Sequence, residues 1–267
     1  MVLAPAKVTL RLEIEGRRAD GFHLLDAEMV SVDLYDSLRF SPGDGLVVTD
    51  LSGVTAGHLP PERAEPASRI PLGPENLVCR ALSAVGRQAR VALEKRIPPG
   101  AGLGGGSADA AAVLRWAGQT GPEVLEVAAS LGADVPFCVA GGRARVRGIG
   151  ELVEPQPFEQ RTFVLAIPPF VMDTAAVYRA WDRLGGPAGR NGNDLEPAAV
   201  DVEPRLSLWK EALGNLTGEE PRLAGSGATW FVEGSPEVLG LTEGARIAVG
   251  SSQAQLVAVR TIPALQG

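Results

Sequence analysis

A run of glycines stands directly before an alanine-rich segment in the stretch PPGAGLGGGSADAAAVLRW, residues 98–116. The first N–H groups of a helix have no partner within the helix, and its N-terminus carries partial positive charge. Glycines placed there let the backbone curl around an anion. The stretch therefore predicts a phosphate-binding loop and a helix over about residues 107–118. Ser107 is then its N-cap, a hydroxyl ligand of phosphate or magnesium, or both in turn.

Two familiar phosphate loops do not account for this stretch. The Walker pattern ends in Gly-Lys-Ser/Thr, and no lysine follows these glycines. The string GAGLGG fits Gly-x-Gly-x-x-Gly, but a dinucleotide fold also needs a βαβ unit with an acidic residue about 20 positions on. A plain turn between strand and helix is the structural alternative. It leaves the many glycines unexplained, because the extra conformational entropy that each loses on folding costs up to about 1 kcal/mol of stability.

The remaining segments predict an α+β protein without a regular βαβ repeat. Alternation predicts strands over residues 2–15 and 27–40. A helix at ENLVCRALSAVGRQ and a strand at RVALEKRIP precede the glycine loop. A helix over residues 122–131, which GADVPF ends, and a hairpin in GRARVRGIGELVE follow it.

The second half alternates again. Strands are predicted at TFVLAIP, RIAVG and QLVAVRTI, and helices at DTAAVYRAWDRLG and RLSLWKEALGNL. The segment RLAGSGATWFVE predicts a strand, a tight glycine turn and a second strand. Two prolines near residues 154–160 predict a joint, hence domains over residues 1–155 and 156–267. Residues 52–74 predict a long loop rich in proline and glycine, in which His58 has no functional role.

Composition excludes several classes of function. The net charge is −7 and no basic block is present, so a nucleic-acid surface is not expected. The sequence contains no run of about 18 apolar residues, so no membrane span is predicted. The N-terminus lacks the pattern of a signal peptide. Cys79 and Cys138 stand in apolar surroundings and are interpreted as reduced thiols, so a cytoplasmic protein is expected.

Lysine is rare in this chain, which has 25 basic residues of which only Lys7, Lys95 and Lys210 are lysines. Lys7 lies inside an apolar strand. That placement is costly unless a carboxylate or a phosphate meets the ammonium. A structural salt bridge and a catalytic role both satisfy this requirement.

Four segments, in order along the chain, resemble one superfamily of small-molecule kinases. The glycine stretch resembles the ATP loop of the galactokinase, homoserine kinase, mevalonate kinase and phosphomevalonate kinase superfamily. LGADVPF is similar to the segment that carries its catalytic aspartate, and LAGSGATWF resembles its third glycine motif. APAKVTLRLEIEGRRADGFHLLDAEM resembles one family within it, the 4-diphosphocytidyl-2-C-methyl-D-erythritol kinases.

The resemblance implies an α+β fold of two domains with the active site in the cleft between them. The N-terminal domain binds ATP with a mixed sheet and helices, and the C-terminal domain is ferredoxin-like. The implied reaction uses ATP and magnesium to phosphorylate the C2 hydroxyl of the cytidine diphosphate methylerythritol substrate, in the non-mevalonate route to isoprenoids. The partner is this small molecule, with no nucleic acid or membrane. A monomer and a homodimer are both left open by the sequence.

The resemblance also assigns roles to single residues. Asp134 orients or deprotonates the acceptor hydroxyl, and Lys7 acidifies that hydroxyl and steadies the charge of the transferred group. His23 hydrogen-bonds the cytosine, the ring of Phe22 stacks on it, and an aromatic near Phe170 closes its other face. The implied ATP-binding residues are Asn76, Lys95, Pro98, Gly100, Ala101, Gly102, Leu103, Gly104, Gly105, Gly106 and Ser107. Further implied substrate-binding residues are Thr9, Gly225, Ser226 and Gly227, and Ser107 is the implied magnesium ligand.

The chain departs from the family pattern at three positions. Thr9 stands where the family usually has asparagine, Ala228 where serine is common, and Phe22 where tyrosine is frequent. Threonine keeps one hydrogen-bonding group and loses the amide fork. Two alternatives therefore stay open beside the leading hypothesis. They are another alcohol kinase of the superfamily and a nucleotide-binding homologue with weakened catalysis.

Overall fold

The computed structural model describes residues 1–52, 70–119, 121, 123–242 and 244–265. Most of the predicted loop over residues 52–74, with His58, lies outside these ranges. Within them, no helix combines the length and apolarity needed to cross a membrane.

The first half of the chain forms a mixed sheet of six strands in the described residues. Strand β2 is central, and the order is β3-β4-β2-β5-β6 with β1 also paired to β2. Strands β3 and β4 are parallel, and the other pairs are antiparallel. The strands are β1 (Val2–Arg17), β2 (His23–Ser41), β3 (Leu46–Asp50), β4 (Arg90–Lys95), β5 (Arg143–Gly148) and β6 (Leu152–Gln156). The helices are α1 (Leu77–Ala84), α2 (Gly105–Trp116), α3 (Glu123–Leu131) and α4 (Val135–Ala140).

The second half forms an antiparallel sheet with three helices in the described residues. The strands are β7 (Thr162–Ala166), β8 (Arg222–Leu223), β9 (Trp230–Glu233), β10 (Arg246–Val249) and β11 (Ser252–Arg260), in the order β10-β11-β7-β9-β8. The helices are α5 (Thr174–Arg183), α6 (Glu196–Val202) and α7 (Arg205–Thr217). The predicted α+β class is confirmed. The domain boundary at residues 155/156 and the ferredoxin-like topology stay predictions.

Two short helices were not predicted from the sequence. The segment GADVPF does end α3, but α4 begins within it, with a proline in its first turn. Helix α6 likewise begins around a proline, which is favourable where the N–H has no helical partner. Helices of six or seven residues span too few turns for apolar periodicity to mark them.

The helix after the glycine loop begins earlier than predicted, and this corrects one role given to Ser107. Helix α2 starts at Gly105, and its N-cap is Gly104 in the left-handed conformation, with φ of 70°. No side chain caps the helix. Ser107 lies inside the first turn, so it is not the N-cap and its hydroxyl is left for another partner.

Strand β1 separates an apolar core from the polar residues that matter for chemistry. Ala6 and Val8 pack in a core that also holds Phe231 of the second sheet. Because side chains alternate along a strand, Lys7 and Thr9 face the other way. Burial of apolar groups from both sheets therefore fixes the strand that carries Lys7.

The glycine loop packs backbone against backbone on the loop between β8 and β9. Thr229 donates to the carbonyl of Ala101 from its backbone N, at 3.1 Å, and from Oγ1, at 2.7 Å. A Cβ at Gly102 would lie 2.5 Å from the carbonyl oxygen of Ala224 and 2.6 Å from that of Gly227. Gly102 also has φ of +79°, which L side chains rarely adopt. Only glycine allows this approach of the two loops.

Gly102→Ala is expected to lower the free energy of unfolding by about 2–3 kcal/mol, because the methyl group meets two backbone carbonyls at an unfavourable φ. Denaturant unfolding measures the change. The matched control is Gly16→Ala in β1, where a Cβ would meet nothing within 4 Å. A stability of Gly102→Ala within about 0.5 kcal/mol of the wild type contradicts the close packing of the loops.

Asp26 on β2 predicts a pH dependence of stability. Arg145 hydrogen-bonds both of its oxygens, at 2.9 and 2.7 Å, and Arg11 approaches at 3.1 Å. The hydrogen bond with Arg145 is the main cause that lowers the pKa of Asp26 from 3.8 to about 2. The ionised Asp26 therefore stabilises the fold at pH values above the ordinary pKa of an aspartate. This stabilisation is lost as the pH falls through the lowered pKa of the folded protein.

Asp26→Asn is expected to be less stable than the wild type near neutral pH, with a gap that narrows as the pH falls from about 4 to about 2. Denaturant unfolding across this range measures it. A gap that stays constant down to the lowest pH would show that the ionised carboxylate contributes nothing.

Candidate active site

A cavity of about 370 Å³ lies between the glycine loop and the second half of the chain. Both halves supply its walls: loop residues 98–107, β1, β2 and the segment before α4 from one side, and α5 and the loop before β9 from the other. Its polar side chains are those of Lys7, Thr9, Ser107, Asp134, Thr174, Tyr178 and Ser226. A volume of this size is typical of a small-molecule site.

Lys7 brings the only ammonium group among these lining residues. The side chain is buried, with 4% of its surface exposed. Its Nζ lies 3.4 Å from Oδ2 of Asp134 and donates to Oγ1 of Thr9 at 3.1 Å. The carboxylate compensates the charge, and the hydroxyl fixes the position of the ammonium. The structure thus brings Asp134 to Lys7 and Thr9, which lie far from it in sequence, on strand β1.

Asp134 occupies the start of α4, between two features that hold its backbone. At its N-terminal side, the turn between β5 and β6 packs so closely that a Cβ at Gly150 would lie 2.2 Å from the carbonyl oxygen of Ala133. At the other end of α4, Nη1 of Arg115 donates to the carbonyl of Cys138 at 3.0 Å. The carboxylate makes no capping hydrogen bond. It remains directed to Lys7 and the cavity.

Gly104 makes room for the Lys7 side chain, because a Cβ there would lie only 2.8 Å from Cγ of Lys7. Gly225 lies against the same side chain, and a Cβ there would be in contact with Nζ at 3.4 Å. The backbone N of Lys7 also donates to the carbonyl of Leu103 at 2.9 Å. The glycine loop is therefore hydrogen-bonded to strand β1, which carries Lys7. This bond fixes the distance between the loop and the Lys7 side chain.

The N-terminus of α2 offers donors to an anion. The helical hydrogen bonds begin with Ala108 N to Gly104 O, and no side chain of the described residues caps the earlier N–H groups. The N–H groups of Gly105, Gly106 and Ser107 are therefore those that a helix leaves to water or to a ligand. All three residues line the cavity.

The loop before β9 is held by an asparagine that the sequence did not single out. Nδ2 of Asn193 donates to the carbonyls of Leu223, at 2.8 Å, and Gly225, at 2.7 Å. Ser226 lines the cavity and its Oγ lies 2.8 Å from Oγ1 of Thr174. Gly227 does not line the cavity, since it packs against the glycine loop. Only tertiary structure shows that Asn193 meets this loop.

Asn76 and Lys95 do not line the cavity, although adenine contacts were expected of them. The Oδ1 of Asn76 accepts from Val78 N at 2.8 Å and caps α1, while its Nδ2 donates to the carbonyl of Pro71. Lys95 is enclosed, with 3% of its surface exposed. Both side chains have protein partners, and their expected contact with adenine stays a prediction.

The expected cytosine pair lies beside the cavity. His23 stacks on Tyr178 with ring centroids 4.9 Å apart, and its Nε2 lies 2.8 Å from Oδ1 of Asp182. Phe22 is 56% exposed at the tip of the hairpin between β1 and β2. Tyr178 itself lines the cavity. The sequence predicted its helix, but helical periodicity does not tell which face meets a ligand.

The aromatic expected near residue 170 does not line the cavity. The guanidinium of Arg205 lies 4.6 Å from the ring centroid of Phe170, and this ring is absent from the cavity walls. Among the described lining residues, Tyr178 is the aromatic one.

Two groups next to the site stay neutral because they are buried. Burial raises the pKa of the Tyr178 phenol and that of the Cys138 thiol well above their ordinary values. Lysine and aspartate thus carry the charges at the cavity wall. Cys138 is a free thiol, as expected, and its raised pKa makes it unreactive.

The chain is similar in sequence to known kinases. Residues 76–142 match the family model described as "GHMP kinases N terminal domain". A 4-diphosphocytidyl-2-C-methyl-D-erythritol kinase of Paracoccus denitrificans (strain Pd 1222) is 38% identical over 247 residues, covering 85% of this chain and 84% of that protein. The kinase of the same name from Paramagnetospirillum magneticum (strain ATCC 700264 / AMB-1) is 37% identical over 257 residues, covering 85% and 86%.

The fold has a solved counterpart. A crystal structure of 4-(cytidine 5'-diphospho)-2C-methyl-D-erythritol kinase has a TM-score of 0.65 and 30% identity, covering 95% of this chain and 98% of that chain. Similarity at this level, over nearly the full length of both, extends far beyond the glycine loop. The chain belongs to the GHMP kinases and, among them, to the family of 4-diphosphocytidyl-2-C-methyl-D-erythritol kinases.

Proposed function

We propose that this chain transfers the γ-phosphoryl group of ATP to the C2 hydroxyl of 4-diphosphocytidyl-2-C-methyl-D-erythritol. The observation that carries the proposal is the Lys7–Asp134 pair, 3.4 Å apart, in a cavity that the glycine loop also lines. The identity of the acceptor is supported by the names of relatives that match most of the chain.

The phosphates of ATP bind at the start of α2. The N–H groups of residues 105–107 hold the phosphate oxygens, and the glycines leave no side chains in the way. Phosphoryl transfer depends mainly on positioning and charge neutralisation, which a rigid loop and a nearby ammonium provide. Ser226 and Gly225 close the cavity from the second half. In this proposal residues 1–155 bind ATP, and residues 156–267 complete the acceptor side.

Lys7 and Asp134 carry the reaction. The carboxylate of Asp134 takes the proton of the acceptor hydroxyl while the hydroxyl oxygen of the acceptor bonds to the γ-phosphorus. The bond from that phosphorus to the bridging oxygen breaks, and ADP leaves with the electron pair. The Lys7 ammonium stabilises the negative charge on the oxygens around phosphorus during this step.

Thr9 keeps the Lys7 ammonium within reach of Asp134 and of the transferred phosphoryl group. Its Oγ1 accepts from Lys7 Nζ at 3.1 Å while the side chain is 2% exposed. Because Oγ1 accepts there, its own hydrogen can donate to an anion in the cavity. Threonine therefore supplies one acceptor and one donor where the family usually has an asparagine.

Magnesium fits the donors at the cavity wall. It prefers oxygen ligands and usually binds through one or two carboxylates together with substrate phosphates and waters. No cluster of three or more histidine, cysteine, aspartate or glutamate side chains occurs in the described part of the chain. The Ser107 hydroxyl and the Asp134 carboxylate are oxygen donors that line the cavity. When bound, the ion would neutralise phosphate charge.

Phe22 and His23 are proposed to receive the cytosine. The exposed ring of Phe22 offers a stacking surface. The Asp182 carboxylate accepts from Nε2 of His23 at 2.8 Å and thereby fixes the orientation of the imidazole.

The proposal is tested with purified protein, MgATP and 4-diphosphocytidyl-2-C-methyl-D-erythritol, by coupled measurement of ADP release. Release that depends on the acceptor is expected. Background ADP release with intact ATP binding in calorimetry would contradict catalysis. Turnover of mevalonate or homoserine instead would contradict the acceptor.

Lys7→Met and Asp134→Asn are each expected to lower kcat by about 10²-fold or more, because each removes one half of a unit that acts only in the transition state. The double variant is expected to be little slower than either single one. Steady-state kinetics with measured ATP affinity checks this. Lys210→Met is the control, since that lysine pairs with Glu196 outside the cavity. Independent, multiplying effects would show that the two groups do not work together.

Thr9→Val is expected to lower kcat by about tenfold, because an ammonium hydrogen bond worth about 1.5 kcal/mol is lost while the shape is kept. Thr9→Ser retains the hydroxyl and is expected to stay within about threefold of the wild type. Equal rates for the valine and serine variants would remove the hydroxyl from the account.

A further inference from the structure

Three buried charged side chains lie beneath the glycine loop and outside the cavity. Asp36 of β2, Lys95 of β4 and Asp109 of α2 have exposures of 0%, 3% and 3%. The Lys95 ammonium contacts Oδ2 of Asp36 and lies 2.7 Å from Oδ2 of Asp109. Burying such charges is costly, and apolar residues of similar volume often stabilise a core at least as much as a buried ion pair does. Stability alone therefore does not explain this trio, which we call the charged network.

Asp36 fixes the start of the loop. Its second oxygen, Oδ1, accepts from the backbone N of Arg96 at 2.5 Å and of Ile97 at 2.9 Å. These two residues connect β4 to Pro98, the first residue of the loop that lines the cavity. One carboxylate thus binds both the Lys95 ammonium and the backbone that leads into the loop.

Asp109 fixes the end of the loop. It lies in α2, four residues after Gly105, where the helix begins. The Lys95 ammonium meets this helix closely, since a Cβ at Gly105 would lie 3.0 Å from Nζ. Lys95 therefore ties the two ends of the loop together through one ammonium.

We propose that Asp36, Lys95 and Asp109 are positioning residues that set the separation of the two ends of the loop, so that the N–H groups of residues 105–107 converge on one phosphate. The proposal rests on the ATP site of the proposed function. Two carboxylates surround one ammonium, so the network offers phosphate no net positive charge. Its effect on ATP is geometric.

The two carboxylates respond differently to an amide. In Asp36→Asn the amide oxygen must stay on the N–H groups of Arg96 and Ile97, which turns the NH₂ group toward the Lys95 ammonium. If the amide is flipped, the hydrogen bonds from the backbone N–H groups of Arg96 and Ile97 are lost instead. In Asp109→Asn the amide oxygen can face Lys95. The NH₂ group then takes the place of Oδ1, a buried atom without a partner in the described residues.

The test is the Kd of MgATP by calorimetry, with KM values for ATP and acceptor. Asp36→Asn is expected to weaken ATP binding by about tenfold or more, because N–H groups displaced by about 1 Å no longer all reach one phosphate at hydrogen-bonding distance. Asp109→Asn is expected to change it by less than about threefold, and the KM for the acceptor stays within about twofold in both. A merely structural role would lower the active fraction and the thermal stability without changing these constants.

Two further variants keep the test decisive. Asp26→Asn, on the same strand and also in an ion pair, is expected to lose stability while keeping the wild-type Kd for ATP. The neutral variant Asp36→Asn/Lys95→Met/Asp109→Leu keeps the acceptor for Arg96 and Ile97 and is expected to fold. Without the tie between the two ends, the N–H groups no longer converge on one phosphate, and the Kd of this variant for ATP is expected to rise by about tenfold.

Wild-type ATP affinity in both Asp36→Asn and the neutral variant overturns the proposal. If Asp36→Asn does not fold, the neutral variant alone decides. The calorimetry needs no acceptor. A wild-type protein that binds ATP without phosphorylating the acceptor therefore refutes the proposed function and leaves this inference standing. A wild-type protein that does not bind ATP refutes both.

Discussion

The buried ammonium of Lys7 is the constraint on which the site depends. Strand β1 places it among apolar neighbours, where an uncompensated charge is costly. Asp134 compensates the charge, and Thr9 accepts a hydrogen bond that fixes the ammonium. The short helix α4 presents the carboxylate, whereas alternation along β1 puts the hydroxyl on the same face. Folding the chain therefore assembles a charge pair at the wall of a cavity.

Close backbone packing around that pair gives the site its precision. Gly104 leaves space for the Lys7 side chain, and Gly102 lets the glycine loop approach the backbone carbonyls of the loop before β9. A protein interior transmits small displacements because it is close-packed. The glycines are thus needed for two distinct reasons. Some expose N–H groups to phosphate, and others allow the loops and Lys7 to approach one another.

Much of this arrangement could be predicted from sequence, and the exceptions have physical causes. Strands β1 and β2, the loop and helix α2 follow from alternation and composition, and the kinase family follows from four motifs. The start of α2 was placed two residues late, because Ser107 is a better capping residue than Gly104 by residue type. The left-handed φ that makes Gly104 the N-cap is not visible in the sequence.

Other features needed the tertiary structure. Asn193 and Tyr178 reach the site from segments without a motif, and nothing local marks them. Lys95 was expected at the adenine, but Asp36 and Asp109 enclose it from elements far apart in the chain. Sequence patterns indicate which residue types can do chemistry. Which of them face the cavity depends on how the two sheets pack.

The most direct measurement is a crystal structure with a nonhydrolysable ATP analogue and the acceptor bound. The account predicts the terminal phosphate within about 3 Å of the N–H groups of residues 105–107 and beside Lys7 Nζ. It also predicts the C2 hydroxyl oxygen within about 3 Å of the Asp134 carboxylate. Phosphates bound away from the glycine loop, or an acceptor hydroxyl out of reach of Asp134, would contradict it.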